Sequence, residues 1–214
     1  MMKIASWNIN SLRKRQDRLF AWLEVTRPDI VCLQETKCPD EQFPALALQA
    51  AGYHSAYHGE KSYNGVAILA KNELREVRAS LCDEVVDPQA RLIAATVGQL
   101  RVFSIYAPNG QAVGSPAYEY KLQWYWRLRR CLAKEKFPEL IVCGDFNVAP
   151  ENIDVYDADL GTEPSWLRTA NAPLFVICAA SACKTPFESI TRKETFSAGG
   201  IIKCAPSKKI LGCA

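Results

Sequence analysis

The sequence lacks an apolar run long enough to cross a membrane. Its longest largely apolar stretch, residues 173–183, is far shorter than the roughly 20 residues that a spanning helix requires. Residues 1–15 also lack the apolar core of a secretory signal peptide. We therefore expect a protein that neither enters a membrane nor is exported, and we predict a cytoplasmic location.

Histidine is nearly absent, and the cysteines do not have the spacing of a metal site. The two histidines, His54 and His58, stand close together and are interpreted as loop residues. The nine cysteines show no zinc spacing, so no zinc site is predicted. In a chain without an export signal they are interpreted as free thiols in a reducing compartment. The sequence also contains no Gly-Lys-Ser/Thr phosphate loop and no dinucleotide-binding glycine pattern.

The charge of the chain is small and unevenly distributed. The net charge is +3 over 214 residues, but residues 161–214 contain seven Lys/Arg against three Asp/Glu. The main body is therefore close to neutral, and bulk charge gives no support for nucleic-acid binding. With 49% hydrophobic and 23% charged residues, the composition is that of one sizeable globular domain.

Apolar strand patterns alternate with amphipathic helix patterns over the first 160 residues, which is typical of sheets covered by helices. The second predicted helix opens at Pro39, with Phe43, Leu46, Ala47 and Ala50 on its apolar face. The third predicted helix places Leu122, Tyr125, Leu128 and Leu132 on its apolar face. Strands are predicted at 3–8, 30–33, 65–70, 92–97, 102–106 and 140–143, and helices begin at 15, 39 and 118.

Polar side chains follow three of the apolar strands at the point where each strand ends. Asn8 ends the first, Glu35 follows the second, and Asp145 with Asn147 follows the last. Ligands collect outside strand ends in open α/β sheets, and carboxylate and amide oxygens suit Mg²⁺. Each residue taken alone is better explained as a turn former or a surface charge. The recurrence of the pattern favours a shared cation site.

Four segments carry a resemblance to a known family. They are Trp7 to Arg13 (WNINSLR), Leu33 to Lys37 (LQETK), Ser104 to Gly110 (SIYAPNG) and Gly144 to Asn147 (GDFN). In this order and spacing they resemble the exonuclease III family of apurinic/apyrimidinic (AP) endonucleases, within the endonuclease/exonuclease/phosphatase superfamily. The resemblance extends from Met1 to about Asp159.

The resemblance implies an α/β fold of DNase I type, a four-layer sandwich of two packed β-sheets flanked by helices, with its C-terminal strands incomplete. It implies a hydrolase, an exodeoxyribonuclease III or AP endonuclease with 3′–5′ exonuclease activity in base-excision repair. The implied cofactor is Mg²⁺, with Mn²⁺ as an alternative. The implied partner is double-stranded DNA with abasic sites or 3′ ends, bound by a monomer.

The resemblance also implies roles for individual residues. The catalytic residues would be Tyr106, Asp145 and Asn147. The metal ligands would be Asn8, Glu35, Asp145 and Asn147. The DNA-binding residues would be Arg91, Asn109 and Gln111.

The sequence departs from the family pattern after about Asp159. The family's Ile-Asp-His-like segment and its C-terminal Ser-Asp-His are missing, and no Asp follows residue 159. We interpret residues 1–159 as the family domain, truncated. Residues 160–214 are interpreted as a divergent tail, frame-shifted and poorly ordered. Two alternative functions follow: an inactive pseudoenzyme that at most binds DNA, and a phosphatase of the same superfamily.

Overall fold

The structure, a computed structural model of the chain, describes residues 2–148 together with two further strands at 175–180 and 200–204. The helices are α1 (Leu12–Thr26), α2 (Ala45–Ala50) and α3 (Pro116–Lys134), with a 3₁₀ turn at Asp40–Gln42. The strands are β1 (Met2–Asn8), β2 (Ile30–Gln34), β3 (His54–His58), β4 (Val66–Ala70), β5 (Arg75–Arg78), β6 (Leu92–Val97), β7 (Leu100–Tyr106), β8 (Glu139–Asp145), β9 (Phe175–Ala180) and β10 (Gly200–Cys204).

The strands form two sheets of five that pack face to face. The first sheet has the order β10-β1-β2-β4-β3 and the second has the order β5-β6-β7-β8-β9. A central apolar core, which includes Ile30, Ile68 and Ile141, fills the space between the sheets. A second core packs α1 and α2 on the outer face of the first sheet, and a third packs α3 on the second sheet. The predicted four-layer α/β sandwich is confirmed.

Strands β9 and β10 come from the segment after residue 159. Strand β9 pairs antiparallel with β8, and β10 pairs antiparallel with β1. The predicted domain boundary at 159, and the remainder of the predicted tail, lie outside the described residues.

The helix ends follow local signals in the chain. Helix α1 begins three residues before the predicted start and ends before Arg27, whose N–H donates to the Leu23 carbonyl in a left-handed C-cap. Helix α3 begins at Pro116 because Ser115 is its N-cap and accepts a hydrogen bond from the Tyr118 N–H. No helix within the described part of the chain is long and apolar enough to cross a membrane.

Three expectations about the helices and the histidines are wrong. The helix predicted from Pro39 is a 3₁₀ turn and a separate α2, because Pro44 interrupts it, and Leu46 is 82% exposed. On α3 the predicted face is rotated, since Leu122 is 40% exposed. The side chains that α3 buries are Tyr118, Lys121, Trp124, Leu128 and Cys131. The two histidines begin and end strand β3 at the edge of the first sheet rather than lying in a loop.

Not all cysteines are free thiols, which corrects the expectation from spacing. Cys82 and Cys131 are joined by a disulfide across 49 residues, with their Cα atoms 5.1 Å apart. Such a pair leaves no local spacing in the sequence, which is why it was not predicted. Cys32, Cys38 and Cys143 are buried free thiols.

A buried polar network joins the two sheets close to the carboxyl ends of their parallel strands. Gln34 of β2 donates through Nε2 to Ser104 Oγ of β7 at 3.2 Å, and Ser104 donates to the Leu33 carbonyl at 3.1 Å. Ser6 of β1 donates to Gln34 Oε1 at 3.4 Å. Because the surrounding core is apolar, these directional bonds fix the offset between the sheets.

A substitution at Gly144 tests how closely β8 packs against β7. A Cβ at this position would lie 2.0 Å from the Ile105 carbonyl oxygen, which belongs to the backbone and cannot move aside. We expect Gly144→Ala to lower the free energy of unfolding by about 3 kcal/mol. Urea denaturation followed by circular dichroism measures the change.

Gly98→Ala is the matched control for Gly144→Ala. Gly98 has φ +63°, but nothing lies within 4 Å of the added Cβ. Only the left-handed backbone then opposes the alanine, at a cost of about 1 kcal/mol. Equal effects of the two substitutions would contradict the close packing of β7 on β8.

Candidate active site

Two parallel strand pairs bring four polar side chains to one edge of the sandwich. In the first sheet β1 and β2 run parallel, with Asn8 opposite Gln34 and Glu35 directly after it. In the second sheet β7 and β8 run parallel, with Tyr106 opposite Asp145. The carboxyl ends of parallel strands meet at the same edge, so the pattern of polar residues at strand ends produces one cluster.

The Asn8 side chain joins the two carboxylates of this cluster. Its Nδ2 donates to Glu35 Oε1 at 2.7 Å and to Asp145 Oδ2 at 3.0 Å. Its Oδ1 accepts from the backbone N–H of Asn10 at 3.1 Å, which fixes the orientation of the amide. Asn8 therefore holds Glu35 and Asp145 beside each other and presents nitrogen, rather than oxygen, to both.

Glu35 is the carboxylate with the stronger cationic partner. Its Oε2 lies 2.8 Å from Lys37 Nζ, which also donates to Asn10 Oδ1 at 2.7 Å. Burial acts to raise the pKa of Glu35, but the hydrogen bonds from Lys37 and Asn8 outweigh it and leave the pKa below its ordinary value. Glu35 is thus held as an anion.

Asp145 has the opposite electrostatic balance. Burial raises the pKa of Asp145 above its ordinary value, and the neighbouring charge of Glu35 adds to the effect. Hydrogen bonds from Asn8 and from the Asn147 backbone N–H, at 3.0 Å to Oδ1, only partly offset this. Of the two carboxylates, Asp145 is the one that takes up a proton more readily.

Tyr106 lies between Glu35 and Arg91. Burial and the charge of Glu35 raise the pKa of the Tyr106 hydroxyl well above its ordinary value, so it stays protonated. The Arg91 guanidinium lies 5.0 Å from the Tyr106 ring centroid and donates to the Tyr106 carbonyl at 3.1 Å. Gln89 Oε1 accepts from Arg91 Nε at 2.6 Å. Arg91 is therefore a fixed cation at the rim of the cluster.

An open cleft adjoins this rim. It has a volume of about 330 Å³ and is lined by Glu60, Tyr63, Asn64, Gln89 and Arg91. Its lining is mixed, with one cation, one carboxylate, two amides and an exposed aromatic ring.

The loops after β7 and β8 complete the site. Asn147 donates through Nδ2 to the Ala107 carbonyl at 2.8 Å, and Asn109 Nδ2 lies 3.5 Å from Asn147 Oδ1. Gln111 is exposed, and its backbone N–H donates to Asn109 Oδ1. Within residues 2–148 its side chain joins no hydrogen bond of the cluster. All predicted site residues except the Gln111 side chain therefore lie in one contiguous network.

Two members of the network were not predicted as site residues. Lys37 stands in the Gln-Glu-Thr-Lys segment, so its closeness to Glu35 could have been found from the motif itself. Lys121 of α3 donates to backbone carbonyls of both loops and carries no motif. Its only signal is a lysine at a helix position whose neighbours at three- and four-residue steps are apolar or aromatic.

The donor set fits a hard divalent cation. Glu35 and Asp145 lie within reach of a single amide group, and one ammonium group, that of Lys37, pairs with Glu35. Two half-buried carboxylates this close repel one another unless a further cation lies near them. The oxygens of Glu35, Asp145 and Asn147 are of the type that Mg²⁺ and Mn²⁺ prefer.

The sequence matches a family model over residues 5–197, described as the endonuclease/exonuclease/phosphatase family. The chain belongs to this family. Nucleases of the family depend on a divalent metal ion. The convergence of Asn8, Glu35 and Asp145 at one edge of the sandwich is consistent with that dependence.

The chain is also similar in sequence and fold to individual members of the family. The chain is 37% identical to the exodeoxyribonuclease III of Haemophilus influenzae over 178 residues, which are 78% of this chain and 65% of that protein. It is 42% identical to the 3′–5′ exonuclease NExo of Neisseria meningitidis, with a TM-score of 0.72 over 74% of this chain and 62% of that one. An AP endonuclease from Archaeoglobus fulgidus is 41% identical, with a TM-score of 0.70 over 73% and 62% of the two chains. The chain thus spans less than two thirds of the length of these relatives.

The contrast between the two carboxylates of this family member predicts a pH-dependent stability. Because the folded state raises the pKa of Asp145, its ionisation destabilises the fold as the pH rises above the unfolded value. We expect Asp145→Asn to increase the free energy of unfolding at pH 7 in metal-free buffer. The gain should shrink as the pH falls and vanish once the wild-type carboxyl is protonated in both states. Thermal unfolding at a series of pH values measures it.

Asp83→Asn is the matched control of opposite sign. A hydrogen bond from Arg127 lowers the pKa of Asp83, so its ionised form stabilises the fold above the ordinary pKa. Its amide variant should be less stable at pH 7 and equal to the wild type in acid. A loss of stability in both variants at pH 7 would contradict the electrostatic difference between the two sites.

Proposed function

We propose that this chain is a Mg²⁺-dependent DNA phosphodiesterase of exonuclease III type, which cuts at abasic sites and removes nucleotides from 3′ ends in base-excision repair. The observation that carries the proposal is the Asn8 amide, which joins Glu35 of one sheet edge to Asp145 of the other. The two carboxylates have opposite pKa shifts, and Arg91, which contacts Tyr106 of the same cluster, lines the open cleft. Mn²⁺ is the alternative cation.

The relatives support the choice of substrate. The names of the two Neisseria structures describe NExo as a 3′–5′ exonuclease and as a 3′ phosphatase bound to a product DNA hairpin. The Archaeoglobus relative is named an AP endonuclease. All three share 41–42% identity with this chain. Abasic sites and blocked 3′ ends are therefore the substrates to test.

Glu35 is the proposed principal ligand of the cation, with Asn8, Asp145 and Asn147 around it. When bound, the cation would neutralise the negative charge that builds on the phosphate during hydrolysis. Lys37 keeps Glu35 ionised in the absence of metal, so the carboxylate is ready to bind without first losing a proton.

Asp145 is the proposed acceptor of the proton from the attacking water. The Asn147 N–H fixes Oδ1 of Asp145, so the carboxylate is oriented before substrate binds. Its raised pKa brings the carboxylate closer to the range in which it accepts and releases a proton at neutral pH. The protonated Tyr106 hydroxyl and the Asn147 amide are the proposed contacts of the scissile phosphate.

Arg91, Asn109 and Gln111 are the proposed DNA-binding residues. Arg91 is held at the cleft by Gln89 and the Tyr106 carbonyl, so its guanidinium offers a phosphate a cation whose position is already fixed. Asn109 and Gln111 are exposed on the loop after β7, which begins directly after Tyr106. A DNA strand that crosses the site would contact Arg91, which directly precedes β6, and then the loop after β7.

One alternative function has a specific observation in its favour. Residues 160–214 contain no Asp, and both histidines lie on strand β3, so residues 1–214 hold no counterpart of the Asp-His pair of the resembled family. A chain that binds abasic DNA but does not cut it would agree with this feature. The same assay separates the two functions, because it measures binding and cleavage on one substrate.

The proposal predicts metal-dependent cutting of an abasic duplex. Purified protein is incubated with a fluorescent duplex that contains one abasic site, with Mg²⁺ or with EDTA. We expect nicking with Mg²⁺ only, and a loss of at least about 100-fold in Glu35→Gln, because the ionised cation ligand is removed. Glu24→Gln, an exposed glutamate on α1, is the control and should cut like the wild type.

The remaining outcomes decide between the functions. Nicking that survives Glu35→Gln would overturn the role of Glu35 as metal ligand. Binding of the duplex without nicking, by a protein that unfolds cooperatively, would favour the pseudoenzyme. A parallel reaction on a duplex with a 3′-phosphate tests whether the chain shares the activity named for NExo.

A further inference from the structure

Lys121 is a buried cation in the middle of α3. Lys121 is 2% exposed. Its Nζ donates to the Asn147 carbonyl at 2.7 Å and to the Asn109 carbonyl at 3.2 Å. No carboxylate of residues 2–148 forms an ion pair with it. A buried ammonium group without such a pair is costly, so its position needs another explanation.

The surroundings of Lys121 are shaped to admit it. Gly110 has φ +83°, and a Cβ there would lie 2.6 Å from Lys121 Cδ, so a larger residue would obstruct the stem of the lysine. The Gly110 carbonyl accepts from Ser115 Oγ, which also caps the first turn of α3. Loop and helix are therefore packed around this one side chain.

The two carbonyls that Lys121 contacts belong to different loops of the candidate site. Asn109 lies in the loop after β7, and Asn147 lies in the loop after β8. The Asn147 N–H donates to Asp145, and its side chain donates to Ala107 in the other loop. A shift of the Asn147 backbone would therefore reach Asp145 directly.

We propose that Lys121 is a positioning residue that fastens the β7 and β8 loops to each other and so sets the placement of Asn109, Asn147 and Asp145 for DNA hydrolysis. The inference rests on the proposed function for its catalytic consequence. Its structural part, the joining of the two loops, stands on the hydrogen bonds alone.

Three variants test the proposal. Lys121→Met removes the charge and both donors while keeping a long apolar stem. Lys121→Arg keeps the charge and offers donors to the same carbonyls. Lys134→Met is the control, because Lys134 lies on the same helix, is exposed, and donates to the Cys82 carbonyl away from the site.

The first measurement is steady-state cleavage of the abasic duplex with Mg²⁺. We expect Lys121→Met to lower kcat by about 100-fold with little change in KM, because a misplaced Asp145 slows the reaction more than it weakens binding. Lys121→Arg should recover at least about a tenth of the wild-type kcat. An unchanged kcat in Lys121→Met would overturn the proposal.

The second measurement is amide hydrogen exchange, which needs no activity. In Lys121→Met the amides of Ala107 and Asn147 should exchange at least about 10-fold faster, while those of Ile68 and Leu69 in β4 stay as in the wild type. Unchanged exchange in both loops would overturn the proposal. Equal acceleration in β4 would also overturn it, because Lys121 would then support the whole fold.

The two measurements keep the two proposals apart. If the wild type does not cut the duplex, the proposed function fails, and the exchange rates alone decide on Lys121. If the wild type cuts and Lys121→Met cuts equally well, the function stands and the positioning role fails.

Discussion

The site depends on one constraint: the two sheets must stack with a fixed offset, because its carboxylates come from different sheets. Asn8 and Glu35 belong to the first sheet and Asp145 to the second, yet a single amide group contacts both carboxylates. The apolar core between the sheets is non-directional and would tolerate sliding. The bond from Gln34 to Ser104 is directional, and Gln34 immediately precedes Glu35. The offset between the two sheets is thus fixed directly beside Glu35, one of the two carboxylates that must meet across the sheets.

The same proximity separates the two carboxylates electrostatically. Lys37 and Asn8 together hold Glu35 ionised, and the resulting charge helps burial to raise the pKa of Asp145. One carboxylate is therefore suited to a cation and the other to a proton, as expected when two titratable neighbours have different surroundings. Because ionised Asp145 is buried beside ionised Glu35, the pair lowers the free energy of unfolding in the absence of metal. A site that binds a cation at this position recovers that stability when the cation is present.

Much of this site could be predicted from the sequence because its residues sit at recognisable strand ends. Asn8, Glu35 and Asp145 each follow an apolar strand, and parallel pairing brings such ends to one edge. The helix faces were harder to predict. Leu46 is exposed although it is apolar, and Lys121 is buried although it is charged, so a pattern based on side-chain polarity fails at both. Pro44 interrupts the predicted helix before Leu46, and the Asn109 and Asn147 carbonyls accept the hydrogen bonds that allow Lys121 to be buried.

The contacts of Lys121 and the Cys82–Cys131 disulfide, two of the features that were not predicted, join residues far apart in the chain. The caps of α1 and α3 use partners three or four residues away, and Ser115 with Pro116 marks such an end in the sequence. Lys121 finds its partners 12 and 26 residues away, and the Cys82–Cys131 bond spans 49. The contact between Asn8 and Asp145 spans 137 residues, so local spacing cannot predict it either. Two arguments predict that these segments meet: the recurrence of polar residues at strand ends, and the resemblance of the motifs to a family. Local physics therefore identifies the strand ends, whereas their meeting in space depends on the stacking of the whole sandwich.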